Sequence, residues 1–349
     1  MKIAIVTSCF IRLFPGIDHT PNSISAIAYN IAEELKKRGY EVTLFATSDC
    51  ETSCYLPKGL LKSSNFKKIK VNSFLYKNLF EKHFKNVIAQ SGKFDIIHSH
   101  SNDFIPYSRL ITKAPTITTM HGPRVSKKEN LIYHNEKMVA ISKDQKKNNP
   151  ELNFVGVVHN GIKVKDFKFN KCSDNYVAWL GRIHPIKGAM EAIAAAKKAK
   201  VKLIMAGNLD KSENDYTKKI FAEIKKNPKL IKYIGEIGKK EKIKLLSNAR
   251  ATLMPIRWEE PFGLVAVESL SCGTPVIAFN RGGLSEIINK KTGFLVRNTT
   301  EMAKAITKAD KISRKNCRER AEKKFTIEKM ADGYERIYAN ILKRGRINI

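Results

Sequence analysis

Short runs of aliphatic and β-branched residues alternate with stretches of helical periodicity from one end of the chain to the other. Segments 2–7, 41–46, 69–72, 95–98, 116–120, 138–141 and 155–159 read as strands, and the clearest amphipathic stretch between them covers 23–38. Continuous apolar strands that alternate with helices predict a parallel sheet covered on both faces. The pattern then restarts. Strands are expected at 177–181, 201–206, 231–234, 251–255, 276–279 and 293–296, with helices at 189–199 and 216–226 among the segments between them. From 313 onward the chain reads as helix only, and the turn dipeptide Asn160-Gly161 marks a junction. The expected fold is therefore α/β: two doubly wound Rossmann-like domains, 1–162 and 163–325, facing across a cleft. A C-terminal helix, 326–349, packs back on the first of them. No repeat at a solenoid period is present.

The length of 349 residues exceeds what one core comfortably fills, in line with two domains. No run of about 18 apolar residues exists, so a transmembrane helix is not expected. The opening residues 1–7 read as a buried strand rather than a signal peptide, because the apolar run is short and Arg12 soon follows. Six cysteines are scattered, with only Cys50 and Cys54 close together, which fits reduced cytosolic thiols and supplies too few ligands for zinc. The formal charge of +31 invites a nucleic-acid reading. Most of it, however, is lysine spread along helix faces, as at Lys36-Lys37-Arg38, Lys197-Lys198 and Lys239-Lys240, with no nucleic-acid-binding motif beside it. Solvated lysines are the first reading and peripheral contact with an anionic membrane the second; nucleic acid is not expected.

Candidate chemistry belongs in the loops after strands, because open parallel sheets bind ligands beyond the carboxyl ends of their strands. The most informative stretch is Trp258-Glu259-Glu260-Pro261-Phe262-Gly263-Leu264, followed by Glu268. Two carboxylates flank a Pro-Phe-Gly turn with a helix expected to start at Gly263. Glycine lets the backbone approach a ligand, and the free N–H groups of a helix start attract anions. Glu259 reads as a flanking solvated residue and Trp258 as packing. A second loop, Arg182 to Gly188, carries Arg182 and Lys187 ahead of a helix; Arg binds phosphate oxygens bidentately and Lys acts as a point charge. The tip of His184 between them is expected to be exposed.

These motifs together resemble the donor domain of retaining GT-B glycosyltransferases of family 4. The matching blocks are Leu180-Gly181-Arg182 with Lys187-Gly188, Gly235-Glu236-Ile237, Pro255 through Glu268, Cys272 through Ala278, and Thr292 through Val296. The first half matches less tightly, at 30–35, 38–45, Asp95 through His100, Thr118 through Gly122, 140–143 and 158–162. The resemblance implies transfer of a hexose from a nucleoside diphosphate sugar, most often UDP-glucose, to an acceptor hydroxyl of a glycan, lipid or small molecule. It implies that Arg182 and Lys187 bind the donor diphosphate, Glu260 the sugar and Glu268 the ribose. Backbone N–H groups around Phe262, Gly263 and Leu264 would bind phosphate or sugar oxygens, and the loop Gly235-Glu236-Ile237 would hold the base. His121 would contact the donor sugar or its phosphate from the acceptor side; His98 and His100 are open between cleft lining and packing. No cofactor and no metal are expected, since no Asp-x-Asp element is present and cations and a helix dipole serve the phosphate instead.

One departure concerns the first helix. Many relatives carry a Gly-Gly pair at its start, where alignment through Leu35 places Asn22 and Ser23. Gly16, in the preceding loop, is the candidate replacement for close approach to phosphate, and 18–21 would border the acceptor. Two other function classes compete. A non-catalytic nucleotide-sugar-binding protein would bind without transfer. A glycoside hydrolase would use paired carboxylates but needs neither the cationic loop nor a second nucleotide-type domain. A dinucleotide oxidoreductase lacks its Gly-x-Gly-x-x-Gly after the first strand. The oligomeric state is not legible.

Overall fold

The computed structural model describes residues 1–16, 19–63, 69, 73–210 and 212–347. The chain divides into two compact units, 1–161 together with 327–349, and 162–326. Unit 1 runs β1 (Lys2–Val6), α1 (His19–Lys37), β2 (Glu41–Phe45), α2 (Phe74–Gln90), β3 (Ile96–Ser99), α3 (Ile105–Ser108), β4 (Thr116–Met120), α4 (Lys127–Tyr133), β5 (Met138–Ala140), α5 (Lys143–Lys147) and β6 (Phe154–Val157). Unit 2 runs β7 (Tyr176–Leu180), α6 (Ala189–Ala199), β8 (Lys202–Ala206), α7 (Asn214–Lys226), β9 (Ile231–Tyr233), α8 (Lys239–Asn248), β10 (Ala251–Met254), α9 (Leu264–Ser271), β11 (Val276–Phe279), α10 (Leu284–Ile287), β12 (Gly293–Val296), α11 (Thr299–Ile306) and α12 (Arg314–Lys324). The last helix, α13 (Ile327–Ile347), belongs to unit 1, where it packs on α1 and β6.

Both sheets have six strands, in the orders β2-β1-β3-β4-β5-β6 and β12-β11-β10-β7-β8-β9, and every adjacent pair is parallel. The cause lies in the strand sequences. Ile3, Ala4, Ile5 and Val6 are all fully buried, as are Val276, Ile277 and Ala278, so each strand faces helices on both sides. In unit 2 the alanine-rich face of α6, with Ala192, Ala195 and Ala196, joins Trp179, Leu203 and Met205 in one core. Helix ends follow local chemistry. Ser73 caps α2, and Ser126 and Glu129 form a capping box at α4. After α1, Gly39 at φ +89° bonds back to Lys36 while Tyr40 bonds to Leu35.

The first helix begins earlier than the sequence predicts. α1 starts at His19, so Asn22 and Ser23 lie within it and neither caps it. Pro21 falls in the first turn, where its missing N–H costs nothing because that donor has no intrahelical partner anyway. Of the expected strand 69–72, residues 70–72 lie outside the described residues, as does Asp18 in the loop before α1. Among the described residues no helix is long and apolar enough to cross a membrane. All six cysteines are free thiols.

Each strand order reverses once. In unit 1 the chain steps from β1 outward to β2 and returns on the other side of β1 at β3; in unit 2 it leaves β7 for β8 and β9 and returns at β10. Loops on either side of such a point diverge and leave a crevice at the carboxyl ends of the strands. The loops after β7 and β10 are those that hold Arg182, Lys187 and Glu260.

Candidate active site

In unit 2 the loop after β7 is folded against the loop after β10. His184 accepts a bond from the Ile186 N–H through Nδ1 (3.2 Å) and so caps the 3₁₀ turn Pro185–Lys187, while its Nε2 lies 3.5 Å from Glu213. It is a cap turned toward an acid, not the exposed tip expected from sequence. The Trp179 indole donates to the Lys187 carbonyl (3.1 Å), and the Arg257 N–H to the Ile186 carbonyl (2.8 Å). Gly188, at φ +72°, closes the turn; a Cβ there would sit 1.9 Å from the Pro255 carbonyl oxygen. Only glycine fits where these two backbones meet.

This folding brings Lys187 and Glu260, 73 residues apart in sequence, to 2.9 Å (Nζ to Oε2). The Trp258 indole N–H donates to the same carboxylate oxygen (2.9 Å), and the Lys187 ammonium lies 4.8 Å from the Trp258 ring centroid. Trp258 is thus part of the cluster, not mere packing. Arg182 is not drawn into it; its guanidinium pairs with Asp210 at 3.0 Å. Both cations of the loop therefore rest on carboxylates, and an arriving polyanion would compete for each.

Glu259 is exposed, as the sequence predicts, yet it is also engaged. Its carboxylate accepts from the Gly282 N–H (2.7 Å) and from Arg281 (3.1 Å), and the Glu260 carbonyl accepts from the Gly283 N–H (2.7 Å). The turn Arg281-Gly282-Gly283 after β11, which the sequence reading passed over, clamps the backbone of the acidic loop from the side. The paired glycines just before a helix were the available signal. Gly282 is at φ +58°, and a Cβ on it would meet the Glu260 oxygen at 2.2 Å.

Gly263, at φ +104°, is the N-cap of α9, with a first turn that carries no acidic side chain. Its neighbour Phe262 turns its ring inward against Phe325, leaving backbone rather than side chain at the helix start. The N–H groups of such a first turn suit an anion. Glu268 lies deeper on α9, 1% exposed, with Oε1 at 2.6 Å from the ammonium of the equally buried Lys242 on α8. Lys242 is not legible in the sequence pattern. The loop Gly235-Glu236-Ile237 leaves β9 with Gly235 at φ +79° and its carbonyl bonded to the Gly207 N–H (2.9 Å); Glu236 is exposed and Ile237 packs beside Tyr176 and Leu245.

In unit 1 the reversal point between β1 and β3 opens a cavity of about 510 Å³, lined among others by Ser8, Phe10, Ser25, His100, Asp103 and His121. His121 Nε2 and His100 Nδ1 are 2.9 Å apart, and His100 Nε2 is buried with no hydrogen-bond partner. His98 lies behind them, fully buried, with Nδ1 2.7 Å from the Tyr338 hydroxyl and Nε2 2.7 Å from that of Thr119, which in turn lies 2.9 Å from the Tyr334 hydroxyl. His98 is packing and His100 lines the cavity, which resolves the two options left open by sequence. Desolvation holds all three imidazoles neutral: His121 is lowered to about 4, His98 to about 3, and His100 well below its ordinary value, the last two also by neighbouring histidines. Tyr334 and Tyr338 were not foreseen either; their i, i+4 spacing on α13 was the signal. Gly16 adopts φ +80° but is exposed and is not among the described residues that line the cavity. No group of three or more His, Cys, Asp or Glu among the described residues is arranged to hold a metal ion.

Known proteins give this geometry a context. The family described as Glycosyl transferases group 1 matches residues 162–324, and Glycosyltransferase Family 4 matches residues 24–165. An uncharacterized glycosyltransferase of Methanocaldococcus jannaschii is 29% identical over 283 residues, covering 74% of this chain and 78% of its own. Among solved structures, sucrose-phosphate synthase from Thermosynechococcus elongatus aligns with a TM-score of 0.76 at 21% identity, covering 99% of this chain and 100% of its own. HepE of Anabaena, in complex with UDP, aligns with a TM-score of 0.74 at 18% identity, covering 97% and 100%. Matched over both of its units, the chain belongs to the GT-B glycosyltransferases of the family 4 type.

Proposed function

We propose that the chain moves a hexose, with retention of configuration, from a nucleoside diphosphate sugar of the UDP-glucose type to an acceptor hydroxyl, with no metal at the diphosphate. The cluster of Lys187, Trp258 and Glu260 beside the start of α9 carries this reading. In it, the diphosphate takes Lys187 from Glu260 and Arg182 from Asp210. As the glycosidic bond breaks, negative charge grows on the leaving diphosphate and the two cations and the N–H groups at Gly263 and Leu264 stabilise it. Glu260, relieved of its lysine, accepts from hydroxyls of the sugar and faces the positive charge that develops at the anomeric carbon. Glu268 accepts from the ribose, and the loop Gly235-Glu236-Ile237 borders the base. The unit 1 cavity, which His121 helps to line, is assigned to the acceptor. The Anabaena protein has been crystallised with UDP and with UDP-glucose, which supports these as the first compounds to try.

Donor turnover tests the assignment. Glu260→Ala and Lys187→Ala are each expected to lower kcat by about a hundredfold or more, the usual cost of removing a group that stabilises transition-state charge. Near-normal rates in folded variants would remove the site from these residues.

A further inference from the structure

We propose that Lys242 is a positioning residue for nucleotide binding: it holds Glu268 as a fixed, ionised acceptor for the ribose hydroxyls and ties it to the helix that follows the base loop. The inference rests on the assignment of Glu268 to the ribose made above. Lys242 shares one buried face of α8 with Leu245 and Leu246, a spacing that calls for an apolar side chain. It is nevertheless 1% exposed, with its ammonium 2.6 Å from Glu268 Oε1 and 6.0 Å from the Phe167 ring centroid. A buried ion pair of this kind seldom adds stability over an apolar pair of the same volume, so its presence points to a use for the charge. α8 begins directly after Gly238, at the end of the loop Gly235-Glu236-Ile237, so one short helix joins the segment assigned to the base with the carboxylate assigned to the ribose.

A carboxylate offers about four lone-pair positions, so Glu268 can keep Lys242 and still accept from two vicinal hydroxyls. Without the lysine, a carboxyl this deep takes up a proton and loses acceptor capacity. Other titratable groups lie on the elements packed against α9. Among them are Lys165 and Asp166 in the turn 164–166, Arg314 and Arg318 on α12, Glu286 on α10, and Cys272 at the end of α9 itself, whose thiol burial and then Glu268 push up to about 12. None of the carboxylates among them can stand in for the ammonium; Arg318 is spent on the carbonyls of Val164, Phe167 and Ser271, and Arg314 on those of Asn170, Ser247 and Ala249.

Calorimetric titration of the wild-type chain with UDP, GDP and ADP identifies the diphosphate to use. With it, Lys242→Met is expected to bind about tenfold or more weakly near pH 7, the deficit closing toward pH 9 as Glu268 ionises unaided. The donor KM rises while kcat is largely kept, because the lost contact serves ground and transition states alike. The double variant Lys242→Met/Glu268→Gln, which leaves no lone buried charge, should match Glu268→Gln in affinity and carries the test if the single variant fails to fold. A wild-type Kd in Lys242→Met, a deficit indifferent to pH, or a double variant weaker than Glu268→Gln would each overturn the proposal. Binding of none of the three diphosphates by the wild-type chain would instead fell the reading of the site, and this inference with it.

Discussion

Glu259 and Glu260 are neighbours in sequence with opposite tasks. Glu260 turns its carboxylate to Lys187 and Trp258, while Glu259 spends its own on the backbone of Gly282 and the side chain of Arg281. Sequence alone ranks two adjacent acids only by motif; which one points inward is decided by a turn some twenty residues on, contacts that no local spacing encodes. That turn is also where a single methyl group does most harm. In Gly282→Ala the new Cβ meets the Glu260 backbone at 2.2 and 2.5 Å, with nothing flexible to give way. Gly39 also has positive φ, but a Cβ there meets nothing within 4 Å. Gly39→Ala should therefore cost only the left-handed strain, about 1–2 kcal/mol by urea denaturation, with donor turnover unchanged. Gly282→Ala should cost more than that and lower turnover as well, because the clash moves Glu260. Equal losses in the two variants would mean that the turn does not position the acid.

Individual elements were legible where burial imposes a pattern. β11 carries an uninterrupted apolar run, and α6 reads from its alanines, because a strand or helix enclosed by neighbours must be apolar on every enclosed position. Legibility failed where a polar residue takes an interior position through a distant partner. Lys242 on α8 reads as rim lysine because its partner is on α9, and Tyr334 and Tyr338 on α13 read as ordinary helix residues because theirs are on β3 and β4. α13 nonetheless sets the histidines of unit 1 in place. Tyr338→Phe strips the partner from His98 Nδ1 inside the core, and an unpaired buried polar atom costs about 1–3 kcal/mol. The expected result is a loss of that size in urea denaturation with no change in nucleotide affinity, since the nucleotide is assigned to unit 2. A variant as stable as wild type would show that His98 does not depend on the last helix.

For the molecule as a whole, the two units differ in how they meet acid. Desolvation lowers four histidines of unit 1, His83 and His121 to about 4, His98 to about 3, and His100 well below its ordinary value. Their folded pKa values lie below the unfolded value of about 6.5, so the unfolded chain takes up protons first as pH falls. Stability is therefore intact above about pH 6.5 and declines as pH drops toward 4. A group lowered to about 4 withdraws about 2 kcal/mol at pH 5, and two of them approach half the stability of a marginal domain. The reporters are already separated, because both tryptophans, Trp179 and Trp258, lie in unit 2. Urea unfolding at pH 7 and pH 5 should thus show the far-ultraviolet circular dichroism midpoint, which reports both units, shifting more than the tryptophan fluorescence midpoint, which reports unit 2. His83→Leu should narrow the gap by removing one of the four groups, provided the leucine fills the site. A parallel shift of both signals would instead place the acid sensitivity in groups common to the two units, such as surface carboxylates that no longer offset part of the +31 charge.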